Sequence, residues 1–598
     1  MSHIAGRPVV RLGVLGAVVG ALAVAAAPAG AVTPGLGAQP GVMLGEHVRA
    51  QDATFGAPVA PASGRVLRAE PPLSATPRAT CGDGSKPEPG IQGRVPPGAD
   101  PAGYRCNITQ LGHEGTAGGF KVERYVDAAG HECAYYDTTL LFPTNLLSAT
   151  LSAQLTGVAV LDMSDPARPV RTATLVTPAM QSPHESLVVN QKRGIVAAVL
   201  GNPAFGPGVV DLYDASKDCR HPVLQSSLPV GVLGHESGFS IDGNTFYATS
   251  IGTGQVTAVD VSNPQIPRIL WIGNYNSHGL SLNDAGTRAY VAASQGLIVL
   301  DTSEIQARKP NPQVREVSRL AWTSMTIPQN ALPVTIGGRP YLVEIDEFAR
   351  DASGNITGLG SQVGAGRIID ISDERAPRVV SNLRLAVNQP EHRAALNGDA
   401  GTSLPVQGYA GHYCGVPQAV EPGIVACSFI ASGLRVFDIR DPLAPKEIAY
   451  FVAPLGNLGG SPVPAEVSNF AMSRPSFVPA RGEIWYSDGN SGFYAVRVAK
   501  DVWPFAGAGA LGLPSAGRCV SRRAFTIHLR QPRGRRLASA RVFVDGRRVK
   551  VVRGARTTAR IDLRGLPRGT VTVRVVAKTR SGRTITETRR YRTCAGRS

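Results

Sequence analysis

Between about Phe120 and Val498, apolar and polar positions alternate with period two in short runs, each bounded by Gly, Pro, Asn or Asp. Alternation on that period places successive side chains on opposite faces of a strand, and no helix-length apolar period interrupts it. The runs recur as one phrase: a Gly, an apolar run ending in Asp, a Pro-containing turn and a further strand. It reads Gly157-Val-Ala-Val-Leu-Asp162 with Ser-Asp-Pro after it, and Gly254-Gln-Val-Thr-Ala-Val-Asp260 with Ser-Asn-Pro. It returns from Gly296 to Asp301, Gly366 to Asp370 and Gly433 to Asp438, with a degenerate copy from Gly208 to Asp214. A second marker keeps the same phase. His235 lies 12 residues before Tyr247 and His278 lies 12 before Tyr290, and His184–Val196 and His412–Ile424 repeat the offset. Each unit therefore predicts four strands: one after a His, a second, a Gly-led third and a fourth after the Pro turn. A last unit, from Ser473 to Val498, lacks its fourth strand. The run Phe120-Lys-Val-Glu-Arg-Tyr125 is expected to supply it and so remove the open sheet edges.

These copies resemble LVIVD-repeat proteins, bacterial and archaeal surface or secreted proteins expected to form β-propellers. The resemblance spans roughly Tyr125 to Val498 and implies architecture without implying an activity. The expected fold is all-β: a seven-bladed β-propeller over 106–505, with six to eight blades compatible with the copies. A Gly/Ala/Pro linker over 506–517 leads to a second unit, 518–598. That unit alternates through Phe525–Leu529, Ala540–Val544, Thr558–Leu563 and Gly569–Val576, with hairpin turns at Asp545-Gly546 and Ser581-Gly582. In fold class it resembles a small immunoglobulin-like β-sandwich.

Charge separates the two units. The chain holds 61 Lys+Arg against 44 Asp+Glu, a net of +17, yet 518–598 alone carries 24 against 3. The rest is mildly acidic, so the basicity belongs to one appendage. Its 22 arginines suit bidentate contact with carboxylate or phosphate. Arg533, Arg535, Arg536, Arg547, Arg548, Arg589 and Arg590 are the expected polyanion contacts.

Residues 1–31 read as a signal peptide: Arg7 and Arg11, an apolar stretch from Leu12 to Ala27, then Ala29-Gly30-Ala31. A secreted, extracellular protein follows, associated with the cell wall and not membrane-spanning. Its partners would be anionic cell-wall or extracellular polymers plus an unknown ligand at the propeller face, with no intracellular nucleic acid. Residues 32–105, rich in Ala, Pro and Gly, read as a flexible segment. All eight cysteines follow the signal, as disulfides require. Cys519 and Cys594 would staple the basic unit, and Cys414 and Cys427 would bridge a hairpin. Cys81, Cys106, Cys133 and Cys219 admit three pairings.

His184-Glu185, His235-Glu236, His278 and His412 share one phase, with Gln329 at the equivalent place in the fifth unit and Ser473 or Arg474 in the last. His131-Glu132 is a further candidate. In a propeller, the starts of the innermost strands surround one mouth of the channel, so these side chains should converge. Converging imidazoles and carboxylates can hold a transition metal. They can equally hydrogen-bond a neighbouring blade's turn. No cofactor is assured, and the channel metal is the one candidate. The repeated Asp162, Asp260, Asp301, Asp370 and Asp438 read as turn caps, and 346–360 as a long hairpin. The reading is therefore a non-enzymatic binding protein of unknown ligand. The alternative is a metal-dependent oxidoreductase or hydrolase using the channel histidines.

Overall fold

The computed structural model describes residues 70–138, 156–201, 208–232, 234–399, 402, 408–456, 469–505, 524–528, 537–553, 558–562, 569–579 and 584–593. Strands dominate. Five antiparallel sheets of four strands follow one another in chain order, their innermost strands being Val122–Val126, Val188–Asn190, Gly238–Phe239, Ser277–Leu282 and Ile327–Ile336. The sixth begins at Tyr413–Gly415 and the seventh at Ser476–Val478. Each sheet packs on the next. Tyr247 and Val256 of the third meet Leu280 and Val291 of the fourth, and Leu297 and Val299 meet Leu342 and Ile369 of the fifth. Val436 and Phe451 of the sixth meet Ile484 and Tyr494 of the seventh, and Trp485 and Phe493 of the seventh meet Val122 and Tyr136 of the first. The architecture is that of a β-propeller.

Packing on both faces explains the composition of the middle strands. Ile195–Val199 is buried at every position, whereas the outer strand Val170–Leu175 is largely open to solvent. The leading Gly of the repeated phrase has its own cause. A Cβ on Gly296 or Gly433 would collide with the backbone carbonyl of Leu320 or Phe451 in the outer strand, and both glycines have positive φ (112° and 77°). The terminal Asp residues cap turns as expected. Asp162, Asp260, Asp301, Asp370 and Asp438 each accept the backbone N–H two residues on, at 2.8–3.0 Å.

Two expectations change at the seam. Val122–Val126 does not complete the last sheet; it is the innermost strand of the first, paired with Glu132–Asp137. The strand added to Gly492–Val498 is Ile108–Glu114, and Tyr104–Cys106 adds a fifth strand to the sixth sheet beside Lys446–Val452. An outer strand needs apolar residues on one face only, and Gln110 and His113 leave the alternation of 108–114 faint. Residues 70–105, inside the stretch expected to be flexible, are likewise docked: Thr76 N–H donates to Arg384 O at 2.7 Å, and the Ala79 N–H to Glu447 Oε2 at 3.1 Å.

Disulfides join Cys81 to Cys106, Cys133 to Cys219 and Cys414 to Cys427, the last across the hairpin as expected. Cys519 and Cys594 lie outside the described residues. In the C-terminal unit, Leu537–Val544 is flanked by Arg547–Arg553 and Gly569–Thr579, with Thr584–Thr593 at the edge. Ala524–His528 pairs with Thr558–Asp562. Asp545 and Gly546 both have positive φ, as a tight hairpin turn requires; Ser581-Gly582 lies outside the described residues. No helix among the described residues is long and apolar enough to cross a membrane.

Candidate functional sites

The repeat places a polar pair at the start of successive innermost strands, and the structure brings those pairs together on the axis. His184-Glu185, His235-Glu236, His278, Gln329-Asn330 and His412-Tyr413 enter from the second to the sixth sheets, and all but His184 are at most 2% exposed. His184 Nε2 lies 3.2 Å from His235 Nε2. Glu185 is the hub. Its Oε2 lies 2.6 Å from His235 Nδ1, accepts the Tyr413 hydroxyl at 2.7 Å and accepts the Gln329 amide. Its Oε1 lies 3.3 Å from His412 Nε2.

Two imidazoles are tied down from behind. His278 Nδ1 meets Pro328 O at 2.9 Å, and His412 Nδ1 meets Met472 O at 2.7 Å, each carbonyl belonging to the next sheet. The expected hydrogen bond to a neighbouring blade's turn is thus made by Nδ1 of His278 and His412, while their Nε2 atoms face inward. Their inward partner is Glu347, whose oxygens lie 3.4 Å from His278 Nε2 and 3.3 Å from His412 Nε2. Glu236 stands slightly apart, receiving Lys121 Nζ at 3.0 Å and the Asn330 amide at 2.7 Å.

Burial works against the charge on Glu185, yet His235 and His412 hold its carboxyl well below the usual range. Burial pushes Glu347 up to about 7, with His412 opposing. Burial also disfavours an imidazolium at His412, but hydrogen bonds to Glu185 and Glu347 outweigh it and raise His412 to about 9. Burial and the adjacent His235 hold His278 well below its ordinary value.

The raised value at His412 sets a sign. A group whose folded-state value exceeds its unfolded one contributes fully below the unfolded value and loses that contribution as pH rises through the folded one. The difference in Tm between the unmodified chain and His412→Asn should therefore be widest near pH 6 and shrink by about pH 10. Thermal melts across that range check it, and a gap independent of pH would count against an imidazolium there.

His131-Glu132 does not join the cluster. It lies between the first two strands of its sheet rather than before the first, and His131 Nδ1 meets Asp127 Oδ2 at 2.8 Å instead. Ser473 and Arg474 also stay out: Ser473 Oγ accepts the Ser487 N–H at 2.7 Å and Arg474 pairs with Glu123 at 3.6 Å. Glu347, Tyr413, Lys121 and Asn330 were not legible as site residues. Glu347 comes from the end of a second strand, Arg339–Glu347, as Asp137 and Asp488 do in the first and last sheets, outside the phase of the histidines.

The C-terminal sheet is the second candidate. Val542, Val544, Val573 and Val575 are buried on one face. Register sets Arg541 beside Val551 and Val576, Phe543 beside Arg548 and Arg574, and Ser539 beside Arg553 and Lys578, all on the other face. Arg574 stacks over Phe543, its guanidinium 4.6 Å from the ring centroid. Of the expected contacts, Arg547 and Arg548 are exposed on Arg547–Arg553, and Arg589 sits 3.6 Å from Glu587. Arg590 belongs to the strand Thr584–Thr593, and Arg533, Arg535 and Arg536 lie outside the described residues.

No protein-family model matches the chain, and no curated protein is similar to it. Among solved structures it is similar to the WD40 repeats of RRP9, at 10% identity over 68% of this chain and 99% of that one, with a TM-score of 0.38. A protein of unknown function from Desulfotomaculum acetoxidans DSM 771 matches at 11% identity over 58% and 93%, with a TM-score of 0.36. A 6-phosphogluconolactonase-like protein from Bacteroides uniformis ATCC 8492 matches at 12% over 56% and 85%, with a TM-score of 0.38. These likenesses concern the general layout of sheets and carry no argument about chemistry or partners.

Proposed function

We propose that the chain is an exported, seven-bladed β-propeller of the LVIVD-repeat kind, retained on anionic extracellular polymers by a C-terminal immunoglobulin-like sandwich. The basic sheet face carries this reading: Arg541, Arg548, Arg553 and Lys578 are exposed on the face opposite the valine core. Clustered guanidinium groups attract polymeric carboxylate or phosphate and release its counterions on binding. The seven-blade count is supported by seven sheets in order, with the first packed on the last. Three disulfides suit an oxidising compartment.

The propeller's ligand would be read on the face that bears the histidine cluster. The strand ends Asp137 and Val158, Glu347 and Gly366, and Tyr413 lie at that end of their sheets, and the stretches of chain between successive strands there are long. Retention of the full chain on immobilised heparin, a sulfated polyanion, should weaken steeply with salt. Arg541→Glu/Arg548→Glu/Arg553→Glu should elute at much lower ionic strength. Equal elution of the two, or retention that ignores salt, would remove the retention role.

A further inference from the structure

We propose that His184, Glu185 and His235 hold one divalent transition-metal ion on the propeller axis, a role beyond polymer retention and independent of the C-terminal unit. One ligating atom from each lies within 4.8 Å of those of the other two. The 3.2 Å between the Nε2 atoms of His184 and His235 is the telling distance. With metal–nitrogen bonds of about 2.0–2.1 Å, two ligands of a tetrahedral ion stand about 3.3 Å apart.

The surroundings prepare these groups for a cation. Glu185 Oε2 accepts the Tyr413 hydroxyl and the Gln329 amide and lies 2.6 Å from His235 Nδ1, while Oε1 lies 4.0 Å from His184 Nε2 and 3.3 Å from His412 Nε2. Outer hydrogen bonds of this kind orient ligands before the ion arrives. His278 and His412 are held by the Pro328 and Met472 carbonyls and stand behind Glu185 as positioning residues. Charge points the same way. Glu185, Glu236 and Glu347 are all buried; Lys121 is engaged by Glu236, and His412 is shared between Glu185 and Glu347. A further positive charge at Glu185 offsets the cost of burying that carboxylate.

Two imidazoles and a carboxylate favour zinc, copper, iron or cobalt over calcium or magnesium, and three protein ligands leave a coordination position for an exogenous group. A second trio, Asp127, His131 and Asp218, has comparable spacing. It already holds a cation, because Arg220 Nε and Nη2 lie 2.8 and 3.0 Å from Asp218.

The full chain, produced without a histidine tag, would be stripped with a chelator and dialysed against Co²⁺ or Zn²⁺ alone. The expected result is one ion per chain by elemental analysis, with a visible tetrahedral spectrum for Co²⁺. His184→Asn/His235→Asn should cut the retained ion at least tenfold, Glu185→Gln should weaken retention, and His131→Ala should leave it intact. Circular dichroism checks that each variant is folded. The unmodified chain gives a test that needs no variant: no stoichiometric ion overturns the proposal, and would mean that imidazolium protons alone neutralise Glu185. Undiminished ion in a folded double variant overturns it as well.

Discussion

Arg435→Met should lower the stability of the chain by about 3–5 kcal/mol, the usual consequence of stranding buried charge. The Arg435 side chain is fully buried in the sixth sheet, with Nη2 2.5 Å from Glu88 and Nη1 3.1 Å from Glu447. Its Nε donates to Ser432 O at 2.8 Å, and the guanidinium lies 4.5 Å from the centroid of the Tyr450 ring. Burial already raises the Glu447 carboxyl against the pull of Arg435, so removing the cation leaves two carboxylates in a site that cannot solvate them. Glu88 belongs to the segment 70–105, and Glu447 Oε2 also accepts the Ala79 N–H and the Gln92 amide. One arginine thus ties that segment to the propeller rim. Urea unfolding should show a lower midpoint, and limited proteolysis should cut within 70–105 sooner. Adding Glu88→Gln and Glu447→Gln should restore part of the loss, because the stranded charges go with it. An Arg435→Met chain within about 1 kcal/mol of the original, with unchanged proteolysis, would refute the clamp.

Glu185→Leu is expected to cost at least about 3 kcal/mol, because buried donors left without an acceptor cost roughly 1–3 kcal/mol each. The carboxylate accepts the Tyr413 hydroxyl at 2.7 Å and the Gln329 amide, and it faces His235 Nδ1 at 2.6 Å and His412 Nε2 at 3.3 Å. These partners come from three sheets other than that of Glu185, so the loss should appear as global destabilisation in thermal or urea unfolding rather than local fraying. Glu185→Gln keeps the shape and an acceptor oxygen and should cost less. Equal effects of the two substitutions would mean that volume, not charge, matters at the hub.

Much of the propeller was legible because its signals are local and repeat. Alternation marks each strand, Gly296 and Gly433 mark where an outer strand's carbonyl leaves no room for a Cβ, and Asp260 or Asp438 caps the turn that follows. The constant twelve-residue offset of the histidines was enough to predict that His184, His235, His278 and His412 would meet. It was not enough for His131, whose neighbouring Glu gave it the look of a member without its phase.

What only the tertiary structure decided are contacts that occur once, between residues from 25 to several hundred positions apart. Ile108–Glu114, not Phe120–Tyr125, completes the sheet begun at Ser476, a pairing between the two ends of the ring that no local pattern encodes. The Cys81–Cys106 and Cys133–Cys219 pairings, the docking of Glu88 on Arg435 and the entry of Glu347 and Tyr413 into the histidine cluster share that origin. Periodic sequence determines the unit because each unit packs its faces in the same way. Closure and the charges at the axis depend on where the units meet, and that is settled by packing in three dimensions.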